Sequence, residues 1–272
     1  MQLQFNLTYF FIFSLISFFS TFLIVKYSNF YFLANLLDKD FSKPQAFHKE
    51  PVARIGGVAI FFLFTLFILG FLDDLKIKIN PIIRLTLMLT LLLFCINTFS
   101  IQITRTGFEF LNLWLENNIF QICFVLLCFL FITNGANLID GFNGLLAIHF
   151  LLINSIFLII NLLNQNENLS IILFAQIIIV LVFLLFNFPK AKIFLGDSGS
   201  YLLGSLIALN AIKTYELNNE ISPFFFSGVL FYLFYEVFFS FVRKAGLKKS
   251  PLQPDNNHLH MLLYSWLLNV KK

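Results

Sequence analysis

Long apolar runs recur along this chain and constrain its fold more than any other feature. Stretches such as "FFLFTLFILGFL" carry no charge and do not alternate between apolar and polar residues. A helical bilayer crossing needs about 20 mainly apolar residues, whereas a transmembrane β-strand alternates. Of the 272 residues, 59% are hydrophobic and only 12% are charged, which is too few for an ordinary soluble surface. The sequence predicts an all-α, polytopic helical membrane protein, with residues 1–272 forming one integral membrane domain.

About eight membrane helices are expected. The first run has no basic residue before it and no small-residue cleavage site, so it is interpreted as a retained span. The three cysteines lie inside apolar runs without metal-ligand spacing, which favours a packing role. The predicted spans lie near 8–27, 57–72, 82–99, 119–133, 144–163, 169–188, 200–213 and 223–242, followed by a short apolar stretch at 259–270.

The connecting segments alternate between basic and acidic character. One set carries nine Lys and Arg residues, in the groups Lys76 to Arg84, Lys190 to Lys192 and Arg243 to Lys249. The other set has only Arg105 and Lys213 as bases. Because loops rich in Lys and Arg stay in the cytoplasm, we expect the basic set to face the cytoplasm, with the protein in the cell inner membrane.

Four polar clusters interrupt the apolar pattern and all return to the basic side. An even number of predicted spans separates each cluster from the next, so their side chains can share one site. The clusters are Asp73 and Asp74 in "GFLDDLK", Asn137, Asp140 and Asn143 in "NGANLIDGFNGLL", Asp197 in "KIFLGDSGSYLLG", and His258 and His260 in "PDNNHLH". Polar residues beside lipid are costly and tend to be kept for function.

Carboxylates gathered at a membrane surface beside bases suit a divalent cation that holds an anionic substrate. Mg²⁺ takes few protein carboxylates and completes its shell with water and phosphate oxygens, as in phosphoryl transfer. Each cluster alone also has a structural interpretation. The aspartate pair could be a solvated helix end, and Asp197 or Ser198 an N-cap. The histidines could be ordinary loop residues, and the glycines of "NGANLIDGFNGLL" could serve helix packing.

Taken together and in order, these motifs resemble the polyprenyl-phosphate N-acetylhexosaminyl-1-phosphate transferases, the family of the MraY and WecA types. The resemblance rests on "ARIGGVAIF", "GFLDDLK", "NGANLIDGFNGLL", "KIFLGDSGSYLLG" and "PDNNHLH" and covers roughly residues 40–265. It implies transfer of N-acetylhexosamine-1-phosphate from a UDP-sugar to undecaprenyl phosphate, with release of UMP. It also implies a Mg²⁺ cofactor, with Mn²⁺ as an alternative ion. The expected product starts a surface glycan such as O-antigen, lipopolysaccharide or another cell-wall polymer.

The resemblance also implies roles for individual residues. Asp73 and Asp74 match the catalytic aspartate pair, and Asp197 with Asp140 matches the metal ligands. The UDP-sugar and its diphosphate are expected to be bound by Asn137, Asp140, Asn143, His258 and His260. Phosphate contacts are expected, with less support, from Arg54, Lys76 and Lys192. The expected partners are the UDP-sugar, undecaprenyl phosphate and membrane lipid, with no nucleic acid; a homodimer is left open.

The chain departs from the family pattern at several places. Asn143 stands where many members carry an acid, and Met261 where a further His is frequent. The segment 57–72 provides one short crossing where members have two helices, and "MLLYSWLLNVKK" is too short to span. The sequence therefore also allows a shortened, catalytically impaired paralogue that acts as a binding or scaffold protein. A transporter is disfavoured, because its acids should lie near mid-span.

Overall fold

The computed structural model describes most of the second half of the chain in detail. It covers residues 81–98, 101–248 and 257–270, together with isolated helical positions at 15, 18, 19, 22 and 26 and two short strands. The strands Leu37–Asp38 (β1) and Val52–Ala53 (β2) pair antiparallel, with Leu37 opposite Ala53. Every other element that the structure describes is helical, so the predicted all-α class is confirmed.

Nine helices follow the two strands in the described part of the chain. Apolar runs form the long ones, and Asn117 and Ser222 cap the helices that follow them by accepting hydrogen bonds from backbone N–H groups. The helices are α1 (Pro81–Thr98), α2 (Glu109–Leu115), α3 (Asn118–Ile139), α4 (Leu145–Leu163), α5 (Glu167–Asn187), α6 (Gly196–Leu217), α7 (Pro223–Val229), α8 (Phe231–Gly246) and α9 (Leu259–Val270).

In the part of the chain that the structure describes, three helices are long and apolar enough to cross a membrane, namely α3, α4 and α5. A fourth span is formed if α7 and α8 act together, although they are bent by 68° where they meet. The sequence predicted one continuous span over 223–242, but Ser227 and Gly228 stand just before the break, and such pairs commonly kink helices. The expected total of eight spans is not confirmed, and segments 8–27 and 57–72 lie largely or wholly outside the described residues.

Helix α6 is the central element of the described bundle. Seventeen of its 22 residues are buried, and it packs against α3, α4 and α5. Small residues allow the close approach: a Cβ on Gly204 would stand 2.8 Å from the Thr133 Cα and 2.9 Å from the Ala136 Cβ of α3. Helix α3 in turn meets α8, because a Cβ on Gly135 would lie 2.5 Å from the Leu233 carbonyl oxygen. Small residues at such contacts are typical of membrane helix packing.

A buried ladder of amides also joins α4, α5 and α6. Asn154 donates to Gln176 Oε1 at 2.9 Å, and Asn210 donates to the same oxygen at 2.6 Å and to Asn154 Oδ1 at 3.1 Å. Near the C-terminal ends of α4 and α6, the Asn161 amide donates to Thr214 Oγ1 at 3.0 Å. In an apolar surrounding these side chains have no water to bond, so they bond to one another. The ladder fixes the register of the three helices.

The contact between α6 and α3 gives a stability prediction. We expect Gly204→Ala to lower the free energy of unfolding by about 1–3 kcal/mol, because the new methyl group overlaps the α3 backbone. The midpoint of chemical unfolding in detergent measures this change. Gly228→Ala is the matched control, since nothing lies within 4 Å of its Cβ position. Equal effects of the two substitutions would contradict the packing argument.

Candidate active site at the ends of the helices

The end of α3 and the beginning of α6 meet through three polar side chains. The Asn137 amide nitrogen donates to Asp197 Oδ1 at 3.1 Å and to Ser200 Oγ at 2.9 Å. The Ser200 hydroxyl then donates to the backbone carbonyl of Asp197 at 3.2 Å. Because the amide has two N–H bonds, it can make both contacts at once. Residues 60 and 63 positions apart are thus held in one hydrogen-bonded cluster.

The local backbone places Asp197 in the first turn of α6. Gly196 has a φ of +73°, a conformation that favours glycine, and Leu195 occupies the N-cap position without a side-chain cap bond. Asp197 is therefore the second residue of the helix rather than its N-cap. A carboxylate in the first turn is stabilised by the helix dipole. The site thus holds an acid where the fold favours negative charge.

The rest of "NGANLIDGFNGLL" turns the chain from α3 into α4. The structure continues α3 six residues past the predicted boundary at 133, so Asn134 and Asn137 are helical. Asp140 is the C-cap residue of α3. Asn143 lies in the turn that follows and donates to the carbonyl of Pro189 at 2.9 Å, which links this turn to the segment after α5.

The histidine segment is held by α8. His258 Nδ1 lies 3.0 Å from Glu236 Oε2, and the backbone N–H of Leu259 donates to Glu236 Oε1 at 2.9 Å. The Tyr232 hydroxyl lies 3.2 Å from His260 Nδ1. Glu236, His258 and His260 are all buried. The two imidazole rings are nearly parallel, with their centroids 5.7 Å apart.

His260 connects the histidine segment to the turn after α3. Its ring packs edge-on against Phe142, with the centroids 5.4 Å apart. A Cβ on Gly141 would stand 2.8 Å from His260 Nε2, so glycine is needed for this close approach. His260 Nε2 is buried and has no hydrogen-bond partner in the part of the chain that the structure describes. Three of the four predicted clusters therefore lie at one end of the bundle.

The fourth cluster cannot be placed. Asp73 and Asp74 lie outside the described residues, as do Arg54 and Lys76, so their predicted roles stay predictions. Lys192, which follows α5 near the site, is exposed. Within the described ranges no group of three or more His, Cys, Asp and Glu side chains converges as a metal site. The carboxylate oxygens of Asp140 and Asp197 are the type of ligand that Mg²⁺ prefers. This ion binds few carboxylates and keeps positions for water and phosphate.

Sequence reasoning missed three residues on α8, namely Tyr232, Glu236 and Arg243. Arg243 Nη1 donates to the Asn257 carbonyl at 2.6 Å, which adds to the contacts of the other two with the histidine segment. A signal was present, because Glu236 is the only acid in the run "FYLFYEVFF". An ionisable residue inside an apolar helix is a candidate functional residue. Its partner could not be read from the sequence, since it lies 22 residues away.

A second feature of the bundle is an apolar cavity of about 220 Å³. It lies between α3, α6 and the bend from α7 to α8. Arg105 and Tyr215 line one end, towards the acidic connectors, and Ile132 and Phe234 line the other. From Ile132 to Asn137 is about 7.5 Å of helical rise, at about 1.5 Å per residue. The cavity therefore approaches the polar cluster from within the membrane-facing bundle.

The chain is similar in sequence to known proteins. A sequence model of glycosyl transferase family 4 matches residues 57–215. The undecaprenyl-phosphate alpha-N-acetylglucosaminyl 1-phosphate transferase of Thermotoga maritima is 31% identical over 227 residues, covering 78% of this chain and 68% of the relative. A probable undecaprenyl-phosphate N-acetylglucosaminyl 1-phosphate transferase of Bacillus subtilis is 27% identical over 253 residues, covering 82% and 68%.

A relative with a different named substrate is also similar. The phospho-N-acetylmuramoyl-pentapeptide-transferase of Dictyoglomus turgidum is 31% identical over 214 residues, covering 73% of this chain and 65% of the relative. The matched part of the chain thus spans about two thirds of these relatives' length.

The fold defines an integral membrane protein, with acids, amides and imidazoles gathered at the helix ends. The family match covers more than half of the chain. The chain belongs to glycosyl transferase family 4, the family of polyprenyl-phosphate sugar-1-phosphate transferases that its motifs indicated.

The bridge between α3 and α6 can be tested without any substrate. We expect Asn137→Leu to lower the free energy of unfolding by about 1 kcal/mol, because it removes both bonds to α6. Asn134→Leu is the matched control, since the Asn134 amide donates only to the Leu130 carbonyl of its own helix. Thermal unfolding in detergent compares the two. A larger loss in the Asn134 variant would argue against the bridge.

Proposed function

We propose that this protein transfers N-acetylhexosamine-1-phosphate from a UDP-sugar to undecaprenyl phosphate and releases UMP. An oxygen of the lipid phosphate forms a bond to the sugar-bearing phosphorus, and the bond between that phosphorus and UMP breaks. The site faces the cytoplasm from the inner membrane, where a soluble nucleotide and a lipid headgroup can meet. The observation that carries the proposal is the contact of Asn137 with Asp197, which unites two family motifs from different helices.

The predicted site residues have distinct roles in this proposal. Asp197 and Asp140 hold Mg²⁺, which would neutralise charge on the diphosphate during transfer. Asn137 orients the Asp197 carboxylate through its hydrogen bond. Asn143, His258 and His260 bind the UDP-sugar, and Asp73 and Asp74 act on the attacking lipid phosphate. Four bases follow α5 or end α8. Two of them, Lys190 and Lys192, are exposed and add positive charge beside an anionic substrate.

N-acetylhexosamine is favoured over the muramyl-pentapeptide sugar as the transferred group. The relatives named as N-acetylglucosaminyl 1-phosphate transferases align over 78% and 82% of this chain. Those named as pentapeptide transferases align over 53–73%. The His-x-His form of "NNHLHML" agrees with the former group. We propose a first membrane step in the synthesis of a surface glycan such as O-antigen.

The apolar cavity suits part of the polyprenyl chain. Its lining is almost wholly hydrophobic, and its inner end lies close to the polar cluster. A lipid phosphate must stay at the membrane surface while its tail remains in apolar surroundings. We propose that the tail runs from the site into this cavity.

The proposed activity predicts a loss on changing Asp197. We expect Asp197→Asn to reduce transfer by about 100-fold or more, because the amide binds a divalent cation weakly and carries no charge. The assay incubates membranes with Mg²⁺, undecaprenyl phosphate and radiolabelled UDP-N-acetylhexosamines, and measures label in lipid and released UMP. Chelation of Mg²⁺ by EDTA should abolish transfer by the unaltered protein, and added Mg²⁺ should restore it.

A control for Asp197 lies at the opposite end of the same helix. Glu216 pairs with Lys213 at 2.6 Å, far along α6 from the site, so Glu216→Gln should retain full transfer. Full activity of the Asp197 variant would refute its metal role. Absence of transfer from every UDP-sugar by the folded, unaltered protein would favour the impaired paralogue instead.

The cavity predicts a chain-length effect. We expect Cys128→Phe to raise the KM for undecaprenyl phosphate about 10-fold, since Cys128 lines the cavity and the ring would occupy it. The KM for a polyprenyl phosphate too short to reach the cavity should stay unchanged. Cys123→Phe is the matched control, because Cys123 lies on the exposed side of α3 and does not line the cavity. An equal fold-change in KM for both chain lengths, or no change for either, in the Cys128 variant would exclude the cavity as the tail site.

A further inference from the structure

Glu236 is a carboxylate buried within an apolar helix, and its exposed fraction is 3%. Burial of an ionised carboxylate is costly unless hydrogen bonds or an opposite charge compensate it. Within the described residues, its carboxylate oxygens contact one short segment through His258 and the Leu259 N–H, and His260 Nδ1 lies 3.8 Å from Oε1. A carboxylate that serves only helix packing would be replaced with little loss by an apolar residue. The residues that Glu236 contacts therefore indicate its role.

The bonding partners fix the position of a proton on His258. An ionised carboxylate can only accept hydrogen bonds. Oε1 accepts from the backbone N–H of Leu259 at 2.9 Å, and Oε2 lies 3.0 Å from His258 Nδ1. Nδ1 must therefore carry a hydrogen, and in the neutral ring Nε2 is then the nitrogen that accepts hydrogen bonds. The hydrogen bond made by one ring nitrogen thus determines the role of the other.

The neighbours of Glu236 on the same face of α8 hold the adjoining residues. Tyr232, one turn earlier, lies against His260 Nδ1, and Arg243, two turns later, donates to the Asn257 carbonyl. Four consecutive residues, 257–260, are thus held by one helix face. Among the described residues, His260 Nε2 is left buried without a hydrogen-bond partner, beside Gly141. Such an unsatisfied buried atom is costly and indicates a place for a ligand.

We propose that Glu236 is a positioning residue for the UDP-sugar site. It holds the hydrogen of His258 on Nδ1 and fixes the backbone at Leu259, so that the histidine segment keeps one geometry and His260 Nε2 serves the diphosphate. Glu236 itself acts through His258 and does not touch the substrate. This inference rests on the proposed function, because it assigns the purpose of the histidine segment within that reaction.

Glu236→Gln is the sharpest test, because it keeps the size and shape of the side chain. The Gln oxygen can still accept from the Leu259 N–H, but the Gln NH₂ group then faces His258 Nδ1 and donates to it. The hydrogen of neutral His258 must move to Nε2. ¹⁵N NMR of histidine-labelled protein in nanodiscs distinguishes the two forms, with His258 assigned by its loss in His258→Asn.

The expected result has three parts. The unaltered protein shows His258 protonated on Nδ1, and the Glu236→Gln variant shows it protonated on Nε2. The kcat for sugar-1-phosphate transfer falls about 10- to 100-fold in the variant, the range typical of lost orienting partners. Thermal unfolding changes little, because the Leu259 bond is kept. A purely structural role would leave kcat unchanged.

Ser240→Ala is the matched control. Ser240 is buried on the same face of α8, one turn after Glu236, and makes no hydrogen bond to residues 257–270. We expect its NMR spectrum and its kcat to equal those of the unaltered protein.

Three results would overturn the inference. One is His258 protonated only on Nε2 in the unaltered protein, a measurement that needs no variant and stands even if Glu236→Gln does not fold. Another is an unchanged kcat after the hydrogen has moved. The third is an equal loss of kcat in Ser240→Ala. Failure of the proposed function is separate, because the unaltered protein would then transfer no sugar-1-phosphate while the NMR result still shows whether Glu236 holds His258.

Discussion

The close packing of α3 on α6 is the constraint on which the rest of the described structure depends. Gly204 lets the two helices approach until side chains at their ends can bond directly. Asn137 then reaches Asp197 and Ser200 without an intervening water. If the helices stood further apart, two of the family motifs would remain separate features of two helices. Packing in the apolar part of the bundle thus sets the geometry of the polar end.

The two ends of the bundle differ in chemistry, and this difference organises the proposed function. The polar cluster and the basic residues that end α8 lie at one end, whereas the Lys213–Glu216 pair and Arg105 lie at the other. The apolar cavity extends between these ends. A lipid substrate has the same division, with a charged headgroup and a long apolar tail. One bundle can therefore bind both parts of the lipid and also meet a soluble nucleotide at the surface.

Helix α8 gives the site a second layer of organisation. Its polar face binds the backbone and side chains of residues 257–260, while its opposite side includes exposed apolar rings such as Phe238 and Phe241. The chain bends by 68° between α7 and α8, so α8 runs in a different direction from α7. Because Glu236 is enclosed, its bonds are shielded from competing water and hold the histidine segment firmly.

The sequence by itself determined the class of the protein and most of the candidate site. Hydropathy indicated membrane helices because apolar runs of that length have no other stable surrounding, and the order of the motifs indicated the family. The number of spans is not confirmed, because segments 8–27 and 57–72 lie largely or wholly outside the described residues and because α6, predicted as a span, is rich in small and polar residues that other helices enclose.

Only the tertiary structure decided which side chains meet. The periodicity of a sequence shows which residues share a helix face, but it does not show which face packs against another. Asn137 and Asp197 were both expected in the site, yet their hydrogen bond depends on how closely α3 and α6 approach. Glu236 was not expected at all, because an acid in an apolar run reveals its purpose only when the fold brings its partner from 22 residues away.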